Sequence, residues 1–129
     1  MVVCDTCVLL FDALEPHRIS STAHTVMEEA DRAGELACSD VTLWEVATLV
    51  ANGRLRPPAP LQVFLENLLS LRGVTVLPVT PEIAARSVSL GLHRDPADRL
   101  IAATAAVHGA RLLTADDRLR NVPGVEVVW

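Results

Sequence analysis

Short apolar runs alternate with longer segments in which apolar residues recur every three to four positions, and this alternation sets the expected architecture. Val2, Val3 and Cys4, closed by Asp5, predict a first strand, and residues 6–13 turn helical behind it. Residues 22–33 read as an amphipathic helix ended by Gly34. LACS (36–39) is a second strand, and 41–52 is helical up to Gly53. The prolines of PPAP (57–60) break the chain before a helix over about 61–71, and Gly73 leads into the strand VTVLPV (74–79). Pro81 starts a helix that carries Ile83, Ala84, Ser87 and Val88. Asp95-Pro96-Ala97-Asp98 has the form of a helix start, with Asp95 as cap, Pro96 first and Asp98 third. That helix stops at Gly109, and the strand ARLLT (110–114) leads to Asp116 and Asp117 before a last strand, VEVVW (125–129).

Short apolar strands separated by helices imply an α/β fold with a mostly parallel sheet and helices on both faces. With 129 residues and no internal repeat, the whole chain, 1–129, is expected to form one domain. No 18-residue stretch is free of charge, so no membrane association is expected. MVVCDTC lacks the basic and uninterrupted apolar regions of a secretory leader, which leads to the expectation of a cytoplasmic protein. Three cysteines fit a reducing compartment. Cys4 and Cys7 form a C-x-x-C, but Cys4 lies inside a strand, so buried or half-buried thiols are expected rather than a redox pair or a zinc site.

Four carboxylates fall where predicted strands end or helices begin or run: Asp5, Glu45, Asp98 and Asp116. In parallel sheets the ligand crevice lies outside the carboxyl ends of the strands, so acids far apart in sequence can meet there. Acids that converge need a cation between them. Each also has a bland explanation: Asp5 as a cap, Asp98 as a first-turn acid favoured by the helix dipole, Asp116 and Asp117 as turn residues, Glu45 as a solvated side chain. A metal site accounts for all four at once. Glu45 carries particular weight, because apolar neighbours on both sides predict a largely buried helix in which an unpaired Glu is costly.

All 11 basic residues are Arg, which excludes Walker-type phosphate binding and Schiff-base chemistry and argues against phosphoacceptor domains that use a Lys. The net charge of −5 looks wrong for a nucleic-acid binder. The four acids supply four of those negative charges, however, and two bound Mg²⁺ would cancel them, so local Arg groups and metal can carry an RNA substrate.

The segments CDTCVLL, SDVTLWEVATLV, GVTVLPVTPEIA and LHRDPADRLIAATAAVHGARLLTADDRL together resemble PIN-domain ribonucleases, and among them the VapC-type toxins of bacterial toxin–antitoxin pairs. The likeness spans essentially the whole chain. It implies a PIN-like three-layer α/β/α sandwich and a Mg²⁺- or Mn²⁺-dependent endoribonuclease. Its catalytic and metal-binding acids fall on Asp5, Glu45, Asp98 and Asp116, supported by the hydroxyls of Thr6 and Thr114, by Asp95 as the helix-opening residue and by Asp117. It also implies a cognate antitoxin and a two-fold homodimer. Cys7 departs from the pattern, since many relatives carry a His there.

His93, Arg94 and Arg99 around the DPAD segment, and Arg54 and Arg56 after the third helix, are candidate contacts to RNA phosphate or antitoxin. Arg99 has a surface ion pair as its alternative. Trp44 is expected in the core or a subunit interface, and a chain whose aromatics are Trp44, Trp129, Phe11 and Phe64 is not expected to read bases by stacking. Two rival readings remain open: a non-catalytic RNA- or protein-binding module, and a DNA-directed metal nuclease.

Overall fold

The computed structural model describes residues 1–92 and 95–129. His93 and Arg94 lie outside the described residues. Five strands, β1 (Val2–Cys4), β2 (Leu36–Ser39), β3 (Thr75–Leu77), β4 (Arg111–Leu113) and β5 (Val127–Val128), form one sheet in the order β3-β2-β1-β4-β5. Every pairing in it among the described residues is parallel. Six α-helices accompany them: α1 (Thr6–Leu14), α2 (Ser21–Ala33), α3 (Val41–Ala51), α4 (Leu61–Ser70), α5 (Pro81–Ser89) and α6 (Pro96–Val107).

Alternation along the short strands divides the core. Val2, Cys4, Leu36, Cys38 and Leu113 point to one face, where Val8, Met27 and Phe64 from α1, α2 and α4 cover them. Val3, Ala37, Leu77 and Leu112 point to the other, against Ile83 of α5 and Ile101, Ala102 and Ala105 of α6. Helices on both faces of a parallel sheet make a three-layer α/β/α sandwich, as the sequence pattern predicts. The run of buried alanines in α6 keeps that helix close to the sheet, which brings its N-terminus to the edge of β1.

The chain moves outward from β1 through β2 to β3, then returns to β4 on the other flank of β1. The switch point therefore lies between β1 and β4, where an open parallel sheet leaves its ligand crevice.

The local starts and stops follow the sequence. Ser20 caps α2 by accepting from the Ala23 N–H at 3.0 Å, and Gly34 ends it at φ 69°, a left-handed backbone that favours glycine. Asp95 caps α6, its Oδ1 accepting from the N–H groups of Ala97 (3.1 Å) and Asp98 (3.3 Å). The third strand is shorter than the predicted 74–79, since Pro78 has no N–H to continue a ladder. Two 3₁₀ turns, Pro16–Arg18 and Asp117–Leu119, fall where the pattern predicts no element.

Three expectations are corrected. The third helix is only partly covered, with Thr42 and Val46 as its buried residues. Trp44 is 59% exposed, so of its two expected places, core or subunit interface, the core is ruled out. Cys4 and Cys38 are buried, whereas Cys7 is exposed.

Candidate metal centre

Asp5 sits at the switch point and is held from three sides. Its N–H donates to the Leu113 carbonyl of β4 (2.9 Å), its Oδ1 accepts from the Thr6 N–H (2.7 Å), and its Oδ2 accepts from the Thr114 hydroxyl (2.7 Å). One residue thus closes the end of β1, starts α1 and clamps the end of β4. It is 4% exposed. Burial pushes its carboxyl above the usual range and the charges of Asp116 and Asp95 add to this, against the pull of the Thr114 hydroxyl and the Thr6 N–H.

The Thr6 hydroxyl lies 3.1 Å from that of Thr42, both buried, and this contact ties α1 to α3. Glu45 is three residues beyond Thr42 on the same helical face, so the tie turns it toward the same edge. Its Oε1 is shielded from solvent and has no hydrogen-bond partner among the described residues. Burial raises the Glu45 carboxyl, opposed by the nearby Thr6 hydroxyl.

The start of α6 completes the cluster. Glu45, Asp95 and Asp98 each offer a carboxylate oxygen, and these oxygens lie within 4.8 Å of one another. Asp98 is 5% exposed, and burial, followed by the charges of Asp5, Asp95, Glu45 and Asp116, pushes its carboxyl up to about 7. Asp116 follows β4: the Thr114 hydroxyl accepts from its N–H (3.0 Å), and its Oδ1 accepts from the Arg118 N–H (2.9 Å), capping the second 3₁₀ turn.

Asp5, Glu45, Asp95, Asp98 and Asp116 all line one pocket of about 320 Å³, together with Cys7, Phe11, Ala115 and Arg118. Asp95, expected chiefly as a helix cap, therefore stands among the acids as well as capping α6. Arg118 and the pocket positions of Cys7 and Phe11 were not foreseen from the sequence. The Arg118 guanidinium forks onto Asp116, with Nε at 3.1 and 3.2 Å and Nη2 at 2.9 Å, and its Nη2 reaches Asp98 Oδ2 at 3.3 Å. The only sequence signal for it was an Arg two residues after an acid, a common turn pattern.

Other candidates lie elsewhere. Asp117 is exposed, pairs with Arg120 and does not line the acid pocket. Arg54 and Arg56 are exposed beyond α3 and do not line it either. Arg99 is half-buried, and its Nε is shielded with no hydrogen-bond partner among the described residues.

The donor set suits a hard divalent cation. The offered ligands are carboxylate oxygens, which favour Mg²⁺-like ions over zinc. Although Cys7 is exposed as a residue, its thiol is partly desolvated where it lines the acid pocket, and this together with the surrounding acids pushes it up to about 11, so it stays protonated near neutrality and adds no thiolate ligand. The buried, unpartnered Glu45 oxygen is a group that a cation would satisfy.

The chain matches the PIN domain family over residues 2–125. It is 38% identical over 132 residues to Ribonuclease VapC22 of Mycobacterium tuberculosis, spanning 99% of this chain and 98% of that protein. Among solved structures it is similar to VapBC2 from Rickettsia felis bound to a DNA fragment from their promoter, with a TM-score of 0.72, 19% identity and coverage of 99% and 98% of the two chains. DNA-bound VapBC from Salmonella typhimurium also gives 0.72, at 18% identity over 98% and 96%. At such identities these two structures speak for the fold alone. Among the described residues no helix is long and apolar enough to cross a membrane.

Proposed function

The chain belongs to the PIN-domain family, in its VapC branch, and we propose that it is a Mg²⁺- or Mn²⁺-dependent endoribonuclease that acts as the toxin of a toxin–antitoxin pair. The observation that carries this reading is the convergence of five carboxylates on one pocket at the switch point of the sheet. Mutually repelling acids raise each other's proton affinity and cost folding free energy, which a binding module without a cation has no need to bear.

Glu45, Asp95 and Asp98 are the residues that would hold the ion, with Asp5 and Asp116 completing the set directly or through water. When bound, such a cation supplies Lewis acidity toward a phosphoryl oxygen and lowers the pKa of a coordinated water. The chain's own groups do the rest. Thr6 and Thr114 fix both oxygens of Asp5. Glu45, through the carboxylate oxygen not given to the ion, orients the attacking water and accepts its proton. Arg118, which already bridges two of the acids, neutralises negative charge developing on the phosphate. Attack of the water on phosphorus breaks the bond to the 3′ oxygen, which takes a proton from solvent, and the products are a 5′-phosphate and a 3′-hydroxyl.

The substrate is RNA in the cytoplasm, drawn from transfer, ribosomal or messenger RNA, and cutting it inhibits translation. A cognate antitoxin neutralises the protein, and the protein acts as a homodimer; the exposed Trp44 on α3 is a residue such an interface would cover.

Purified, antitoxin-free protein is incubated with total cellular RNA in Mg²⁺, Mn²⁺ or EDTA, beside Asp5→Asn, and the new 5′ ends are sequenced. Cuts that need metal and vanish in Asp5→Asn support the reading. A folded protein that cuts no RNA in either metal overturns it, and cutting of single-stranded or duplex DNA instead redirects it to DNA.

A further inference from the structure

A second cavity, of about 340 Å³, adjoins the acid pocket and shares Ala115 and Asp116 with it; Trp129, Arg120 and Asp117 form further walls. Its position follows from the sheet. β5 pairs with β4 in the register Leu113↔Val128, and the Thr114 N–H donates to the Val128 carbonyl at 3.2 Å. Trp129, just after β5, therefore stands on the same carboxyl edge as Thr114, just after β4. The acid pocket lies over the ends of β1 and β4, and this cavity lies one strand further along the same edge.

Its aromatic wall is in contact with a second ring. The Trp129 indole meets the Phe11 ring at 6.4 Å between centroids and 56° between planes, and Phe11 itself lines the acid pocket. The Arg18 guanidinium lies over the Phe11 ring at 4.1 Å from its centroid. Trp129 remains 36% exposed. Trp129, partly open and in ring contact with Phe11, thus lines a cavity large enough for a small flat ligand, since such sites begin at about 300 Å³. Arg120 and Asp117, exposed on its rim, offer a donor fork and an acceptor.

We infer that this cavity is a nucleobase subsite: it takes the base of the nucleotide next to the scissile phosphate of a single-stranded RNA, stacked on Trp129, while the phosphate lies over the acids. The inference rests on the ribonuclease reading, and the two walls shared with the acid pocket are what join them. Stacking on an indole tolerates any base. Discrimination at this one nucleotide comes from Asp117 and Arg120, whose carboxylate and guanidinium meet the hydrogen-bonding edge of the base.

Asp5→Asn protein also carrying Trp44→Phe has Trp129 as its only tryptophan and is titrated with labelled hexamers of rA, rC, rG and rU in Mg²⁺. Indole fluorescence reports stacking, and anisotropy of the label reports binding. The expected result is saturable quenching of Trp129, a loss of RNA affinity of about 5- to 100-fold in Trp129→Ala, and recovery in Trp129→Phe. In the otherwise wild-type chain, Trp129→Ala raises KM more than it lowers kcat and flattens the base preference at one position beside the cut. Its Mn²⁺ affinity stays unchanged. RNA binding without quenching, or equal affinity in Trp129→Ala, overturns the subsite. Quenching by RNA in a chain whose wild type cuts nothing leaves the subsite standing and removes the ribonuclease reading; no RNA binding at all overturns both.

Discussion

Arg118 Nη2 stands 3.3 Å from Asp98 Oδ2 while the same guanidinium forks Asp116, so a cation belonging to the chain already occupies part of the acidic pocket. Arg118 is 60% exposed, which makes it a weakly held partner that a divalent ion can displace. Arg118→Ala is therefore expected to bind Mn²⁺ a few-fold more tightly than wild type, read by calorimetry or by the loss of the free-ion paramagnetic signal. The same variant is expected to cleave RNA more slowly, because the phosphate loses a charge partner. Weaker Mn²⁺ binding in Arg118→Ala would mean that the guanidinium holds the acids in register rather than competing for them.

Asp98 gives the metal-free protein a pH dependence of definite sign. Its carboxyl is pushed from 3.8 up to about 7, so the folded state holds this proton more tightly than the unfolded chain. That contribution is fully present below about pH 4 and is lost as pH rises through about 7. In EDTA the melting temperature should fall across that window, and Asp98→Asn should flatten much of the decline. Metal reverses the trend: binding displaces the proton, so Mg²⁺ affinity should climb with pH up to about 7 and level above it. Calorimetry in buffers of different ionisation enthalpy detects the released proton. An Asp98→Asn protein whose melting temperature in EDTA follows the same pH course as wild type would contradict the upward shift of this carboxyl.

How far the sequence discloses this site depends on the range over which each residue is determined. Strand ends and helix starts are local, and Asp5, Asp95 and Asp98 are legible from the apolar run before Asp5 and the D-P-A-D cap. That Asp95 both caps α6 and faces Glu45 is not local, because it depends on the contact of Thr6 with Thr42 that turns α3. The apolar residues around Glu45 suggest a buried helix, yet α3 is covered on one side and leaves Trp44 in solvent. Arg118 was invisible for another reason: it lies in a 3₁₀ turn with no hydrophobic period, and its partner Asp98 is 20 residues away. Few aromatics argued against stacking, but a count carries no position, and Phe11 and Trp129 meet only because β5 lies beside β4.

The Thr114 hydroxyl both donates to Asp5 Oδ2 and accepts from the Asp116 N–H, so one buried oxygen sets two of the acids. Thr114→Val keeps the shape and removes both bonds. The expected cost is about 1.5–3 kcal/mol in urea unfolding, the range for a hydrogen bond to a charged group. Mn²⁺ affinity should also fall, since Asp5 loses the donor that favours its charged form. Thr114→Ser, which restores the hydroxyl, should recover the affinity more fully than the stability. If Thr114→Val unfolds earlier but binds Mn²⁺ as before, the hydroxyl serves the fold alone.

Arg72 supplies the contrasting case, an ion network with no part in the pocket. It follows α4 and grips Asp12 of α1 twice, Nε to Oδ2 at 2.6 Å and Nη2 to Oδ1 at 2.9 Å. Its Nη1 reaches Glu28 (2.6 Å) and Asp31 (3.3 Å) of α2. The Asp12 side chain is 8% exposed, so Arg72→Met would leave a buried carboxylate without its counter-charge, at a cost of about 3–5 kcal/mol. Adding Asp12→Asn removes that stranded charge and should recover a large part of the loss, because the penalty belongs to the charge rather than to the missing bond. None of these groups lines the acid pocket, so Mn²⁺ affinity at a temperature where both variants are folded should equal that of wild type. A parallel loss of metal binding in the folded Arg72→Met protein would show that the packing of α1 and α2 transmits strain to Asp5 through the first turn of α1.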